Sequence, residues 1–380
     1  MIPFRTFSFA EASRYAHIWL PGYLRSRWAR RHRPEIRRVW LTIGDHYEPH
    51  WANADRDVAI SRVRAWSHSW PRIANQFEDA VGRPAKYTFF YPQEEYRPEL
   101  LDPLAEMTQA GIADVEVHLH HDGEGEQDFV DRISSFTEVL HGRHGLLRKI
   151  DGRIAFGFIH GNWALDNSGP HGRHCGLNNE ISLLRQLGCY ADFTFPAASH
   201  PAQPRMVNTI YWATDDPARP KSYNSGVPVV PGGPVIGDLM MIPGPLGLHW
   251  GAGRLVPGIE VGELAEHNPV SRERIRLWIE NAPSIGGDVF IKLFAHGAQE
   301  RNARPLLTRD LQLMFGTLLQ LCRDSGAACY FVSAWEMWKA ITALRSQANP
   351  VATIVNPYQG GAGVALEEPT VDQVSWRRSR

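Results

Sequence analysis

Two hydrophobic periods alternate along this chain. Short apolar runs rich in aromatic and β-branched residues read as strands: VWLTIG (39–44), KYTFFY (86–91), VEVHLH (115–120), IAFGFI (154–159), ADFTF (191–195), VFIKLFA (289–295) and ACYFVS (328–333). Between them, 57–80, 98–110, 127–141, 178–187, 270–281, 307–324 and 334–346 carry helical spacing. Strands that alternate with helices and are apolar on both faces predict an α/β protein with a parallel sheet, open or closed.

The rhythm stops over 200–262, which is rich in Pro and Gly and has no helical period. A structureless loop of that length is uncommon in a compact domain. The expectation is therefore a β-hairpin insertion, with MVNTIYWAT (206–214) as one hairpin, covering one rim. The organisation expected is a basic amphipathic segment over 1–36, an α/β body over 37–346 interrupted by 200–262, and an extended tail over 347–380.

Composition narrows the partners. Among 380 residues the formal net charge is −1, so nothing global points to nucleic acid. No apolar run approaches the ~18–20 residues of a membrane span. Cys175, Cys189, Cys322 and Cys329 form no C-x-x-C pair and read as reduced thiols of a cytoplasmic protein. Seven arginines lie between Arg25 and Arg38. They fit a peripheral contact with a membrane surface or partner, or the solvated face of a helix packed on the domain.

Unusual chemistry collects where the strands end. The first runs into Asp45-His46-Tyr47-Glu48, the third into His118, His120, His121 and Asp122, the fourth into His160-Gly161-Asn162-Trp163, and the penultimate carries Lys292 before His296. In α/β folds the loops at the carboxyl ends of strands converge on the site. Strand parity sets His118 and His120 on one face, and His121 on the other with Val115, Val117 and Leu119. Asp45, His118, His120 and Glu124 offer the carboxylate and imidazole donors that a divalent metal takes, zinc first among them. Glu180 has two readings, a catalytic carboxylate or a residue complementing a helix N-terminus capped by Asn178 or Asn179.

In this order, the motifs GDHYEP, HLHHD, HGNWALDNS and HGA resemble the polysaccharide deacetylase family, in particular deacetylase-like proteins of bacterial surface-polysaccharide biosynthesis. The resemblance implies a distorted (β/α)7 barrel. It aligns Asp45 with the family's metal-binding Asp, His120 and Glu124 with its two metal-binding histidines, and His296 with its general acid. Gly44 stands where the family has its catalytic base, and its Arg-x-Pro-Tyr motif has no counterpart here.

The implied activity is metal-dependent removal of an N- or O-acyl group from a sugar or polysaccharide precursor. Glu48, His46, His160 and Glu180 are the candidates for the missing base. His46, Asn162, Trp163 and Lys292 are candidates to contact the substrate, and Trp51, Trp163 and Trp250 could stack on sugar rings. The alternatives are a catalytically silent barrel that binds glycan or metal, and a glycoside hydrolase using two carboxylates such as Asp45 with Glu48, Asp122 or Glu180.

Overall fold

A computed structural model of the chain describes residues 13–249 and 258–355. In chain order the elements are α1 (Ala16–Arg30), β1 (Arg38–His46), α2 (Arg56–Ala74), β2 (Tyr87–Pro92), α3 (Pro98–Gln109), β3 (Ala113–Leu119), α4 (Glu126–Gly142), β4 (Arg148–Ile150) and β5 (Arg153–His160). They continue with α5 (Glu180–Leu187), β6 (Cys189–Asp192), β7 (Tyr211–Ala213), β8 (Gly226–Pro228), β9 (Leu239–Met241), β10 (Gly247–His249), β11 (Gly258–Glu260) and β12 (Glu263–Leu264). The last are α6 (Arg272–Asn281), β13 (Ser284–Ile285), β14 (Asp288–Ala295), α7 (Glu300–Pro305), α8 (Leu311–Asp324), β15 (Ala328–Phe331) and α9 (Ala334–Arg345).

The central sheet runs β12-β14-β1-β2-β3-β5-β6-β9-β7-β8. Every neighbouring pair from β12 to β9 is parallel; β7 pairs antiparallel with both β8 and β9. One edge of β1 is shared: its first half, Arg38–Leu41, pairs with β15, and its end, Gly44–His46, pairs with β2. The α/β class and the parallel sheet are thus as the alternating periods predict.

Both faces of the sheet are covered, which is why β1, β2, β3 and β14 are buried almost throughout. Val39, Leu41, Ile43, Val115, Val117 and Leu119 face one large cluster with Trp66 and Trp70 of α2 and Leu104 of α3. Trp40, Phe90, Ile159, Phe193 and Phe290 point the other way, into a second cluster with Met337 and Ile341 of α9. That second face is strongly concave: Lys292 of β14 donates at 2.7 Å to the carbonyl of Phe193, just past β6. Burial pulls the Lys292 ammonium down to about 7, with Asp192 opposing.

Three expectations change in detail. The hairpin at 206–214 is not one: only Tyr211–Ala213 is a strand, and its partners β8 and β9 come from later in the insertion. The helix expected over 57–80 stops at Ala74, where Phe77 and Asn75 turn the chain toward an isolated bridge at Glu78 and Pro84. The helix expected over 307–324 starts earlier and is interrupted by a π turn over Leu306–Asp310, directly after Pro305. The segment at 1–36 contributes α1, whose Trp19 and Tyr23 pack on Val207, Leu246, Val261 and Phe294 while Leu24 and Trp28 stay exposed. Of the expected tail, 356–380 lies outside the described residues.

One buried ion pair ties the insertion to the body. Glu260 of β11 accepts from Arg274 Nε at 2.7 Å and Nη2 at 3.0 Å, from Trp278 Nε1 at 2.9 Å and from the Gly262 N–H at 2.8 Å. Burial works to raise the Glu260 carboxyl, but Arg274 and these donors outweigh it and hold it below its ordinary value. Glu260→Ala leaves the Arg274 charge buried without its counter-ion, held only by the Asn268, Pro269 and Glu263 carbonyls, so the expected loss is about 3–5 kcal/mol at neutral pH. Because the folded carboxyl is depressed, this contribution is complete above the unfolded value of about 4.3 and fades as pH falls through the folded one. Urea denaturation of both proteins from pH 7 to pH 3 should show the difference shrinking; a constant difference would contradict it.

Candidate functional site

Two side-chain clusters stand at the carboxyl end of the parallel strands, one on each face of the sheet. His46, Glu48 and His118 form the first, each with a donor atom within 4.8 Å of the other two. His121, His160, Cys175 and Glu180 form the second under the same limit. Strand parity explains the division. His46 shares the concave face with Trp40 and Gly44, and His118 shares it with Glu116; His160 shares the helix-side face with Phe156 and Phe158.

In the first cluster His118 is oriented by its neighbouring strand: Nδ1 lies 2.7 Å from the Ile159 carbonyl and therefore carries the proton. In the neutral ring its Nε2 is then an acceptor, and it lies 3.5 Å from Glu48 Oε1 without a hydrogen bond. His46 Nε2 is likewise buried and without a partner. The His46 ring lies 5.0 Å from that of His118 and 4.8 Å from that of His296, centroid to centroid. Burial depresses His46 well below its ordinary value, with the neighbouring imidazoles adding to it. For Glu48, burial opposes the charge, but His118, His296 and His120 outweigh it and keep the carboxyl below its usual range. Two orphaned imidazole nitrogens beside a carboxylate are a donor set that fits a divalent cation.

His120 stands at the rim. It follows the last residue of β3, its side chain is 33% exposed, and its Nε2 lies 3.5 Å from Glu48 Oε1. Its Nδ1 is 2.5 Å from Glu94 Oε1. Burial would lower the His120 imidazole, and the Glu94 carboxylate overrides it and raises it. Glu94 follows β2 in a short turn, QEE, and sequence reasoning missed it. The available signal was its place at a strand end beside the others.

The expected metal set is only partly brought together. His118 and His120 reach the first cluster; Asp45 and Glu124 do not. Asp45 faces the helices, where its carboxylate accepts from the Gly297 N–H at 2.7 Å and the Tyr87 hydroxyl at 2.8 Å. Burial pushes its carboxyl up to about 7 against those two bonds. Its service is structural, fixing the turn that carries His296. Glu124 is held by Arg132 and by the Asp122 N–H. His46, expected at the substrate, and Glu48, expected as a base, stand together with His118 in the first cluster.

His160 and Glu180, expected as catalytic, are fully buried in the second cluster. His160 Nε2 lies 2.9 Å from His121 Nε2 and 3.4 Å from Glu180 Oε1. His121 Nε2 is 3.2 Å from the same oxygen. Glu180 Oε2 accepts from the Asp166 N–H at 2.6 Å and faces Cys175 Sγ at 3.3 Å. Burial takes His160 down to about 4; for Glu180 burial opposes the charge, yet His160 and His121 bring it to about 2. Burial also pushes the Cys175 thiol well up.

Beside the first cluster lies a cleft lined by Trp163, Pro196, Ala198, His200, Val261 and Phe294. Phe294 joins it to the histidines, 6.1 Å from His46 between ring centroids. Trp51 is 42% exposed and sits 6.5 Å from the His296 ring. Asn162 is exposed at the same rim. Trp250 lies outside the described residues.

The chain matches no protein-family model, and no curated protein is detectably similar to it. Among the described residues no helix is long and apolar enough to cross a membrane.

Gly44 is explained by packing. A Cβ there would lie 3.1 Å from the Phe90 ring and 3.4 Å from Ile159 Cδ1, so the concave face is already filled at that point. Gly44→Asp should cost about 1–3 kcal/mol through overpacking, plus the burial of a carboxyl, and should not create a working base. Thermal unfolding checks the first part; a stable variant with raised turnover would refute both.

Proposed function

We propose that the protein is a metal-dependent hydrolase that removes an N- or O-acyl group from a sugar or polysaccharide precursor, on a curved sheet of the distorted (β/α)7 barrel kind. The observation that carries this reading is the pair of unpartnered nitrogens, His46 Nε2 and His118 Nε2, beside Glu48 at the mouth of the parallel sheet. These three residues would hold the ion, zinc by donor type. When bound, it supplies Lewis acidity that polarises an acyl carbonyl and makes water more acidic.

The proton work falls to His120. Glu94 fixes its ring through Nδ1, which leaves Nε2 turned toward Glu48 at the solvent-facing rim. His120 Nε2 takes the proton of the attacking water and returns it to the departing sugar oxygen or nitrogen, with Glu94 stabilising the imidazolium between the two steps. His296 was expected as the acid from resemblance. Burial lowers its proton affinity, which suits a neutral imidazole that binds or orients. Trp51 and Trp163 offer aromatic faces to a sugar ring on either side of the cluster.

A glycosidase reading needs two carboxylates in one cleft, and Asp45 turned toward the helices argues against it. A silent glycan-binding reading draws support from Gly44, whose space is taken by Phe90. Turnover separates it from the hydrolase.

Elemental analysis and acetate release from a panel of N- and O-acetylated sugars test the proposal. His118→Ala and Glu48→Gln should lose the ion of this site and at least ~100-fold in rate. A metal-loaded wild type that releases no acyl group from any substrate of the panel would favour the binding reading. Glu94→Gln should keep the metal and lose about 10–100-fold in kcat/KM, the usual cost of an orienting partner. An unchanged rate would remove His120 as the proton carrier.

A further inference from the structure

We infer that His121, His160, Cys175 and Glu180 form a second, closed metal site of zinc type, whose role is to hold the loop between β5 and α5. The site itself is independent of the catalytic reading, since none of these residues serves the first cluster; only a total of two zinc equivalents rests on that reading as well.

The donor atoms converge in a way that no neutral tautomer of the two imidazoles satisfies; a doubly protonated His121 between Glu124 and Glu180 would satisfy them, and so would a bound cation. His160 Nδ1 faces the Gly161 carbonyl, which can only accept, so Nδ1 carries the proton and Nε2 is bare in the neutral ring. That bare nitrogen points at His121 Nε2 and Glu180 Oε1. If His121 Nε2 carries a proton and serves them, its Nδ1 is left bare, and it lies 3.2 Å from a Glu124 oxygen without a hydrogen bond. If Nδ1 carries the proton instead, three lone-pair groups meet: His121 Nε2, His160 Nε2 and Glu180 Oε1. Burying such a meeting is costly, and a cation at its centre removes the conflict.

Cys175 makes zinc the fitting cation. Its sulfur accepts from the Asn167 N–H at 3.2 Å and the Leu177 N–H at 3.4 Å, the backbone support that a buried thiolate needs. One thiolate, two imidazoles and one carboxylate complete a four-donor set, and all four residues are buried. Sites with four protein ligands and no open position are structural, whereas the first cluster keeps a solvent-facing side. On binding, the Cys175 thiol loses its proton to solvent, and the sulfur electron pair so freed becomes the ligand.

The loop supplies the purpose. Residues 161–179 contain only two short 3-10 turns. Six non-glycine residues there, Asn162, Trp163, Asp166, Asn167, His171 and His174, hold φ between 54° and 68°. A backbone so strained persists where tertiary links over-determine it. A metal bridging the loop after β3, the end of β5, Cys175 in the loop and the first turn of α5 would be such a link. The same loop carries Trp163 into the cleft.

Elemental analysis of the full chain, purified from zinc-supplemented culture, tests this. Two zinc equivalents are expected in the wild type and one each in Cys175→Ser, His160→Gln and His118→Ala. X-ray absorption of zinc-loaded His118→Ala should place a sulfur at about 2.3 Å. Cobalt-substituted protein should show a thiolate-to-cobalt charge-transfer band that Cys175→Ser abolishes and His118→Ala retains. A purely nitrogen-and-oxygen shell in His118→Ala, a band that survives Cys175→Ser, or a metal count insensitive to both Cys175→Ser and His160→Gln would overturn the site. In that event one thiolate-free zinc would remain in the wild type, and the first cluster would stand unaffected.

Discussion

Successive side chains of a strand point to opposite faces, and at the carboxyl end of this sheet that constraint decides which chemistry each residue can join. Asp45 and His46 are neighbours in sequence but face opposite layers. The first braces Gly297 and Tyr87 beneath the helices; the second presents an unpartnered nitrogen on the concave side. His118 and His160 sit on neighbouring strands in opposite phase and serve different clusters. Had either strand slipped by one residue, the two donor sets would have exchanged members.

The layers on each side keep that parity in register. Trp66 of α2 donates to the Gly297 carbonyl at 2.8 Å while Asp45 receives the N–H of the same residue, so the turn bearing His296 is clamped from both sides. A Cβ on Gly297 would lie 2.1 Å from the Asp45 carboxylate, which is why only glycine fits. On the concave side Trp40 stacks on Tyr330 at 4.5 Å and donates to Asp288 at 2.8 Å, tying β15, β1 and β14 together below the histidines. His46, His118, His160 and Glu180 therefore stand on strands or a helix, the condition for holding donor atoms in place, while Glu48, His121 and Cys175 come from the adjoining loops.

The two clusters differ in access more than in donor chemistry. One has His120 at its solvent-facing edge and a cleft with Trp163 and Phe294 beside it; the other is sealed by α4, α5 and the loop over 161–179. Access separates a site that can exchange ligands from one that can only hold them. Both draw on HLHHD, whose histidines divide between them.

The sequence by itself determined the elements and the faces of their residues. Strands such as Arg153–His160 and helices such as Glu126–Gly142 lie within a residue or so of their apolar patterns, because period and length are local properties. It also placed the polar residues at strand ends and set His121 against His118. Tertiary structure alone decided which strand ends meet. Glu48 reaches His118 across β2, and Glu94 reaches His120 from a turn with no histidine near it in sequence. Cys175 finds His121 only because the loop over 161–179 packs on the loop after β3, where the Gly123 N–H donates to the Cys175 carbonyl at 2.8 Å. Donor sets are made between elements far apart in the chain, and no local pattern records the distance at which two such elements pack.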